Sequence, residues 1–219
     1  LIGILGARAL IVGDNFHFGK GQAGATSDLR TLAGRFGIEA EIVPLLTCRG
    51  VRVSSSEIRR HLAAGQVSQA NRMLGRPYAI AGSVVRGEGR GSKETVPTLN
   101  LETSSLDDST VALPAPGVYV TRTEDLDADA HWNSITNVGF RPTFNGRHLT
   151  IETFLLADLT GPAPRRIRVE VLRRLRPERR FDSSAELRAQ ILSDVAVSRL
   201  FFRRLARFNP ALMSRRRPH

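Results

Sequence analysis

Residues 82–101 read GSVVRGEGRGSKETVPTLNL, an apolar run that leads into three alternate glycines, Gly87, Gly89 and Gly91. Glycines at this density let the backbone turn tightly and approach a ligand closely, because no Cβ atom is in the way. The main-chain N–H groups of such a loop suit phosphate oxygens. The segment therefore favours a phosphate-binding loop, and a plain glycine-rich hairpin is the alternative.

A possible metal site follows the glycines. Pro97 precedes Thr98 and Asn100, which are two residues apart and share one side of the chain if the segment is extended. A hydroxyl and an amide oxygen are hard, neutral ligands suited to a magnesium ion that keeps most of its water. The alternative is an ordinary Pro-Thr turn.

The chain around this segment reads as all-β from Tyr78 onward. Apolar residues alternate with polar or small ones in four further stretches, at 117–121, 132–138, 150–156 and 167–171. Five or six strands in about 100 residues, separated by Gly and Pro turns, indicate a small closed barrel or sandwich. A helix over 184–208 follows, with an apolar stripe that we expect to pack on the barrel: Leu187, Ile191, Val195, Phe202 and Leu205.

The first 75 residues have a different pattern. A strand at 7–12, a helix at 27–36 and a strand at 38–46 make a parallel α/β unit. The loop VGDNFHFGKGQAG, residues 12–24, follows the first strand, where open α/β sheets place ligands. Ser54 and Glu57 fit a capping box, and a helix N-terminus beside Arg59 is either a phosphate site or plainly capped.

Composition limits the class of protein. A hydrophobic content of 41% indicates a folded chain, and no apolar run approaches the ~18 residues that span a bilayer. No signal peptide is visible, although the chain starts at Leu1 rather than Met. The single cysteine, Cys48, excludes an intramolecular disulfide and fits a reducing compartment. We therefore expect a cytoplasmic protein.

The net charge of +11 lies in the C-terminal quarter, where residues 165–219 hold 16 arginines and 5 acids. Such a basic end can bind nucleic acid non-specifically. A solvated basic end, or a surface that attracts ATP, is the preferred interpretation. Aromatic residues, at 6%, are few for a protein that stacks single-stranded bases, so a nucleic-acid-binding module is the less favoured class.

The glycine loop ahead of Pro-Thr-Leu-Asn resembles the nucleotide-binding segment of riboflavin kinases. Four further motifs of that family follow in order: GVY (117–119), NVGFRPTF (137–144), IETFLL (151–156) and RPERRF (176–181). Upstream, residues 12–24 and VSSSEIRRHL (53–62) resemble two motifs of the FMN adenylyltransferase domain, which precedes the kinase in bacteria. The resemblance is to the bacterial bifunctional riboflavin kinase/FMN adenylyltransferase (FAD synthetase), with a complete kinase domain and a truncated adenylyltransferase domain.

The resemblance implies three segments. Residues 1–75 would be the C-terminal part of a Rossmann-like α/β nucleotidyltransferase domain. Residues 76–209 would be a six-stranded antiparallel β-barrel with a C-terminal helix. Residues 210–219 would be a basic tail.

The implied activity is transfer of the ATP γ-phosphoryl group to the 5′-hydroxyl of riboflavin, giving FMN and ADP with Mg²⁺. Glu152 matches the family's catalytic carboxylate, and its alternation with Phe154 and Leu156 suggests an inward or cleft position; the alternative is a rim carboxylate paired with an arginine. Further roles carried over are magnesium binding by Thr98 and Asn100, ATP binding by Gly87, Gly89, Gly91 and Pro97, and flavin binding by Arg176 and Phe181.

The adenylyltransferase motifs imply a nucleotide-binding remnant made of Gly13, Asn15, Phe18, Gly19, Ser54, Ser55 and Arg59. The five histidines contain no HxGH-type pair, so the sequence is a fragment or the adenylyltransferase half has degenerated. We therefore expect riboflavin kinase activity, with a bifunctional FAD synthetase as the alternative. Thr95, Val96 and Leu99 depart from the commoner kinase pattern, which predicts altered substrate affinity. The expected partners are small molecules, with no specific nucleic acid and no membrane.

Overall fold

The structure, a computed structural model, describes residues 6–85, 98–103, 111–143, 146–159 and 161–208. The chain divides into two compact units, with the boundary between Ser54 and Ser55. Within the described residues, no helix is long and apolar enough to cross a membrane.

The first unit contains a small parallel sheet. Strand β1 (Ala9–Gly13) pairs in parallel with β2 (Glu39–Val43), and helix α1 (Thr26–Arg35) connects them. Gly37, at φ 66°, follows the C-terminal end of α1 in the left-handed conformation that glycine adopts readily. A short hairpin follows, made of β3 (Thr47–Cys48) and β4 (Val51–Arg52). The predicted α/β unit is therefore present.

The second unit is built on a closed barrel of six strands with the order β10-β5-β6-β9-β8-β7. Every pair in the barrel is antiparallel. The predicted architecture is confirmed, and its strands are β5 (Tyr78–Val85), β6 (Thr98–Leu101), β7 (Gly117–Asp125), β8 (His131–Thr143), β9 (Gly146–Leu155) and β10 (Arg166–Pro177).

Alternation decides which side chains fill the barrel. One group of inward residues is apolar: Ile80, Leu99, Leu101, Ile151, Leu155, Ile167 and Val169. A second group is a chain of buried hydroxyls, in which Thr121 Oγ1 lies 2.8 Å from both Ser134 Oγ and Thr136 Oγ1, and Thr136 Oγ1 lies 2.9 Å from Thr153 Oγ1. These hydroxyls satisfy one another, so polar residues are buried there without unpaired groups.

Two short helices, α2 (Ser55–Ala63) and α3 (Val67–Leu74), belong to the barrel unit. Their fully buried Leu62, Val67 and Ala70 pack with Tyr119, Val138 and Val171 of the barrel strands. Because of this shared core, the boundary between compact units falls about twenty residues before the one that we predict at Gly75.

The C-terminal helix α4 (Ser184–Phe208) contacts strand β8. Its most buried residues are Asp194, Ser198 and Phe202, which are spaced four apart and therefore share one face. Leu187, predicted to belong to the buried stripe, is 42% exposed. The helix thus packs on the outside of the barrel as predicted, but through a face that is partly polar.

Candidate functional site

Strand register places several of the predicted site residues in one lateral row. Glu152 of β9 lies opposite Asn100 of β6 on one side and opposite Asn137 of β8 on the other. The row continues from Asn137 to Val118 of β7 and from Val118 to Arg176 of β10. Directly opposed residues have side chains on the same face, with Cα atoms about 4.5–5.5 Å apart. Residues from five strands therefore meet at one level of the barrel.

Glu152 lies on the outer face of the barrel, so the inward one of its two predicted positions, inward or in a cleft, is wrong. Its neighbours Ile151 and Thr153 are 1% and 0% exposed, whereas Glu152 itself is half-buried. Glu152 faces outward because its neighbour Thr153 faces inward, where the Thr153 hydroxyl is hydrogen-bonded to that of Thr136. The outer face places the carboxylate between two amides, where it is accessible to a ligand.

Thr98 and Asn100 lie on this same outer face, separated by the buried Leu99. Thr98 is exposed and lies opposite Phe154, while Asn100 is half-buried beside Glu152. The Asn100 amide nitrogen donates to the main-chain oxygen of Thr98 at 3.5 Å. A hydroxyl and an amide oxygen are hard, neutral ligands that suit a magnesium ion with most of its water retained, so this pair fits the ion.

Arg176 is held in a buried ion pair with α4. Its Nε and Nη2 atoms donate to Asp194 Oδ2 at 3.0 and 2.9 Å, and Gln190 donates to Asp194 Oδ1 at 2.8 Å. The side chains of Arg176 and Asp194 are 18% and 9% exposed. Arg176 is thus neither solvated nor a free cation, and its position joins the row on the barrel to the helix.

Phe181 lies beside the two arginines of its motif. The Arg179 guanidinium carbon is 4.6 Å from the centre of the Phe181 ring, and that of Arg176 is 5.7 Å away. Both distances are within the range of a cation–π contact. Phe181 is half-buried, so part of its surface remains accessible next to the ion pair.

The two motifs NVGFRPTF and RPERRF meet at Gly139. A Cβ atom on Gly139 would lie 2.4 Å from Glu178 Oε1, so the Glu178 carboxylate occupies the space that a larger residue would need. Gly139 follows Asn137 by two residues and therefore lies next along the same face of β8. The loop after β10 thus approaches the row that contains Glu152.

Two residues of this site were not predicted as functional. Asn137 stands within a quoted motif, but only the strand register shows that it flanks Glu152. Asp194 stands in the middle of a helix, and its pairing with Arg176 spans 18 residues of sequence. Neither contact follows from local spacing.

Gly87, Gly89, Gly91 and Pro97 lie outside the described residues, as do Thr95, Val96 and the tail 210–219. Among the described residues, no three His, Cys, Asp or Glu side chains are grouped so that they could hold a metal ion. A magnesium site made of Thr98 and Asn100 is of a different type.

In the first unit, the predicted nucleotide loop lies at the carboxyl ends of the parallel strands. The Asp14 N–H donates to Val43 at 3.0 Å, which ties the loop to the end of β2. Phe18 and Gly24 exchange two main-chain hydrogen bonds, and the Phe18 ring packs on the Cα of Gly24. Also in this unit are Gly13, Asn15, Gly19 (φ 80°) and Ser54.

The second unit holds Ser55 and Arg59, at the start of α2. They line a hollow of about 230 Å³ together with Arg76 and Tyr78. On the same helix, the Arg60 guanidinium donates to Glu57 Oε2 at 2.7 Å, and this bond lowers the pKa of the Glu57 carboxyl. The hollow therefore presents a hydroxyl and two arginines, groups that suit an anion.

Two different protein families match the N-terminal and C-terminal parts of the chain. A family model for riboflavin kinase matches residues 74–202, and one for FAD synthetase matches residues 1–57. A six-stranded barrel that carries these matched motifs defines the class: the chain belongs to the riboflavin kinase family. The resemblance predicted from the sequence is thereby confirmed.

Particular relatives are bifunctional. The chain is 35% identical to the bifunctional riboflavin kinase/FMN adenylyltransferase of Pseudomonas fluorescens over 91% of its length, and 34% identical to that of Escherichia coli K12 over 92%. A crystal structure titled as a macrolide-efflux protein from Streptococcus pneumoniae is similar with a TM-score of 0.77 and 30% identity, over 90% of this chain and 62% of that one. The chain spans 62% and 63% of the two bifunctional relatives.

Proposed function

We propose that this chain is a riboflavin kinase that converts ATP and riboflavin to ADP and FMN. The observation that carries the proposal is the row Asn100–Glu152–Asn137 on the outer face of the barrel, inside the segment that matches the riboflavin kinase family. A half-buried carboxylate between two amides, with a hydroxyl at Thr98 on the same face, would supply groups that phosphoryl transfer to an alcohol requires.

The reaction joins the 5′-oxygen of riboflavin to the γ-phosphorus of ATP and breaks the bond between that phosphorus and the β,γ-bridging oxygen. The hydroxyl proton passes to the Glu152 carboxylate, which acts as the general base. The amides of Asn100 and Asn137, on either side, would orient that carboxylate and the incoming hydroxyl. In-line positioning, rather than covalent catalysis, is the main contribution of the chain.

Thr98 and Asn100 would hold Mg²⁺ through their side-chain oxygens. A bound magnesium ion neutralises charge on the ATP phosphates. The glycine segment with Gly87, Gly89, Gly91 and Pro97 would bind the ATP phosphates through main-chain N–H groups.

The flavin is assigned to the side of the row where β10 meets α4. Phe181 would contact the ring system of the flavin. Arg176, through its ion pair with Asp194, would hold in place the segment after β10 that carries Phe181. Because the Arg176 charge is already paired, its role in flavin binding is one of positioning rather than of direct charge recognition. We assign the protein to the cytoplasm, where ATP is present and a lone cysteine such as Cys48 stays reduced.

The experiment that tests the function is direct. The purified chain is incubated with riboflavin, ATP and MgCl₂, and the flavins are separated by chromatography. FMN should accumulate in proportion to enzyme, and omission of either ATP or Mg²⁺ should abolish it. If the natural chain converts no riboflavin to FMN, whereas a known riboflavin kinase does so in parallel, the proposal is wrong.

FMN adenylyltransferase activity is the second candidate, because the FAD synthetase family model matches residues 1–57. The loop from Gly13 to Gly24, with Asn15, Phe18 and Gly19, would bind nucleotide at the carboxyl ends of β1 and β2. In the barrel unit, Ser55 and Arg59 at the start of α2 are a separate candidate phosphate contact. Formation of FAD from FMN and ATP by the same chain is the measurement that decides.

A further inference from the structure

A groove of about 840 Å³ lies between the C-terminal half of α4 and the turn end of the β7–β8 hairpin. Its walls are largely apolar and include Trp132, Leu156 and Phe202. Trp132 precedes Asn137 by five residues on β8, so the groove is about 17 Å along the strand from the row that contains Glu152. It is therefore a separate feature of the barrel unit.

Three arginines line this helix groove, and its described lining contains no acidic residue. Arg122 comes from β7 and lies 3.5 Å from the Glu170 carboxylate, which partly neutralises it. Arg199 and Arg203 come from α4 and are exposed. Within the described part of the chain, neither forms an ion pair. Two positive charges therefore remain at the edge of the groove.

The spacing of these two arginines is unfavourable for the helix alone. Arg199 and Arg203 are four residues apart, so their charges lie one turn apart on the same side and repel each other. The helix dipole does not stabilise these two charges, because it favours cations only in the last turn of the helix, where Arg207 lies. An anion bound between the two guanidinium groups would relieve the repulsion. Guanidinium pairs suit phosphate in particular, since they donate in parallel to two oxygens.

We propose that the helix groove binds an organic phosphate that carries an aromatic ring. The apolar wall with Trp132, Leu156 and Phe202 would receive the ring, and Arg199 and Arg203 would receive the phosphate. Ring and phosphate together define the class, which includes both adenine nucleotides and phosphorylated flavins. The inference is independent of the proposed kinase reaction, because none of these residues belongs to the proposed active site.

The chain offers its own reporter, because Trp132 is its only tryptophan. The full chain is titrated with AMP, with adenosine and with inorganic phosphate while the Trp132 emission is followed. AMP should change the emission saturably, and the other two should each bind at least about tenfold more weakly, because each lacks one half of the ligand. FMN and riboflavin are compared in the same way by calorimetry.

The variant Arg199→Gln/Arg203→Gln should weaken AMP binding by about tenfold or more. Arg204→Gln is the matched control, because Arg204 is an exposed arginine of the same helix that does not line the groove. The Arg204→Gln variant should bind AMP with the same affinity as the natural chain. Binding that is lost in Arg199→Gln/Arg203→Gln is binding in the groove: if the lost binding is tighter for FMN than for AMP, the ligand is a flavin phosphate, and the reverse identifies a nucleotide. No saturable response to either ligand, or an equal loss in Arg204→Gln, would overturn the proposal. These measurements involve no turnover, so they stand whether or not the chain is a kinase.

Discussion

Glu152 has an amide neighbour on each side, and this placement determines what its substitution should do. Glu152→Gln keeps the size and the hydrogen-bonding reach of the side chain but removes its ability to accept a proton. If the carboxylate is the general base, kcat should fall by about 10²–10⁴-fold, while the KM values for riboflavin and ATP change little. Steady-state kinetics with both substrates provide the measurement.

Glu124→Gln is a suitable control, because it makes the same chemical change on another strand of the barrel. It should leave kcat unchanged. A Glu152→Gln variant with near-normal kcat would exclude the base assignment, and one that has lost its melting transition would instead indicate a structural role.

Thr98 and Asn100 should determine the metal requirement. Thr98→Ala and Asn100→Ala each remove an oxygen ligand, so we expect a higher magnesium concentration for half-maximal rate and a lower kcat. Asn100→Asp adds a negative charge beside Glu152 and the phosphates, so it should alter the metal dependence and weaken the use of ATP, with the fold intact. The rate is measured against MgCl₂ concentration for all three variants. If both alanine variants keep the natural rate and magnesium requirement, the metal site lies elsewhere.

The two tyrosines should make the chain less stable at alkaline pH. Tyr78 donates its hydroxyl to the main-chain oxygen of Ala112, and Tyr119 donates to that of Ala115. Burial raises the pKa of both phenols above the usual range, because it disfavours the phenolate. Their contribution to stability is therefore complete below the unfolded pKa of about 10 and is lost as the pH rises through the folded pKa.

We therefore expect the free energy of unfolding of the natural chain to fall above about pH 10. Tyr78→Phe/Tyr119→Phe should be less stable at pH 7, since two carbonyl oxygens lose their donors, but should lose less stability between pH 9 and pH 11. The chain has only these two tyrosines, so no other phenol contributes. Urea midpoints measured across this pH range provide the test, and parallel curves for the two proteins would contradict it.

At the scale of secondary-structure elements, the docking of α4 depends on one ion pair. Asp194 is 7% exposed and is paired with Arg176 and Gln190. Asp194→Asn would leave the Arg176 charge buried without its partner, so the barrel unit should lose about 3 kcal/mol of stability. Glu186→Gln, an exposed change on the same helix, should cost far less.

The double variant Arg176→Gln/Asp194→Asn distinguishes the effect of the ion pair from that of side-chain packing between β10 and α4. Because neither charge is then left alone, it should be no less stable than Asp194→Asn. Additive losses in the two single variants and the double variant, measured by urea unfolding, would show that the ion pair is not what couples β10 to α4.

The elements themselves could be predicted more completely than the contacts between them. The helix at 184–208 and five of the six barrel strands follow from local periodicity, which depends only on the sequence. The face of β9 could not be assigned in this way, because Glu152, Phe154 and Leu156 alternate with Ile151, Thr153 and Leu155, and both sets contain one polar residue. The choice depends on the hydroxyl of Thr136, which comes from another strand.

The same limit explains what was missed at the candidate site. The row that joins Asn100, Glu152, Asn137 and Arg176 depends on register across five strands, and Asp194 reaches it from a helix. The turn at 75–77 reads as a domain boundary, although Leu62 and Val67 bury themselves against barrel residues that are far away in sequence. Long-range pairing therefore decided each point on which local pattern was insufficient.

At the scale of the whole molecule, the question is whether the chain carries out one reaction or two. The 219-residue chain should make FMN but no FAD, because its five histidines contain no HxGH-type pair to stabilise a transferring nucleotidyl group. Chromatography of a long incubation with riboflavin, ATP and MgCl₂ should show FMN alone. A bifunctional relative serves as the positive control, and steady FAD production by the purified chain would contradict this prediction.

Closure of the barrel has a consequence for how the sequence can vary. Each strand is held by neighbours on both sides, so a deletion of one residue inside β9 would shift Glu152 to the opposite face and bring Ile151 or Thr153 into its place. Changes of length in the connections between strands leave the pairing untouched. We expect related chains to accumulate insertions and deletions in the connecting segments, while the distance in residues from Glu152 to the end of its own strand stays constant.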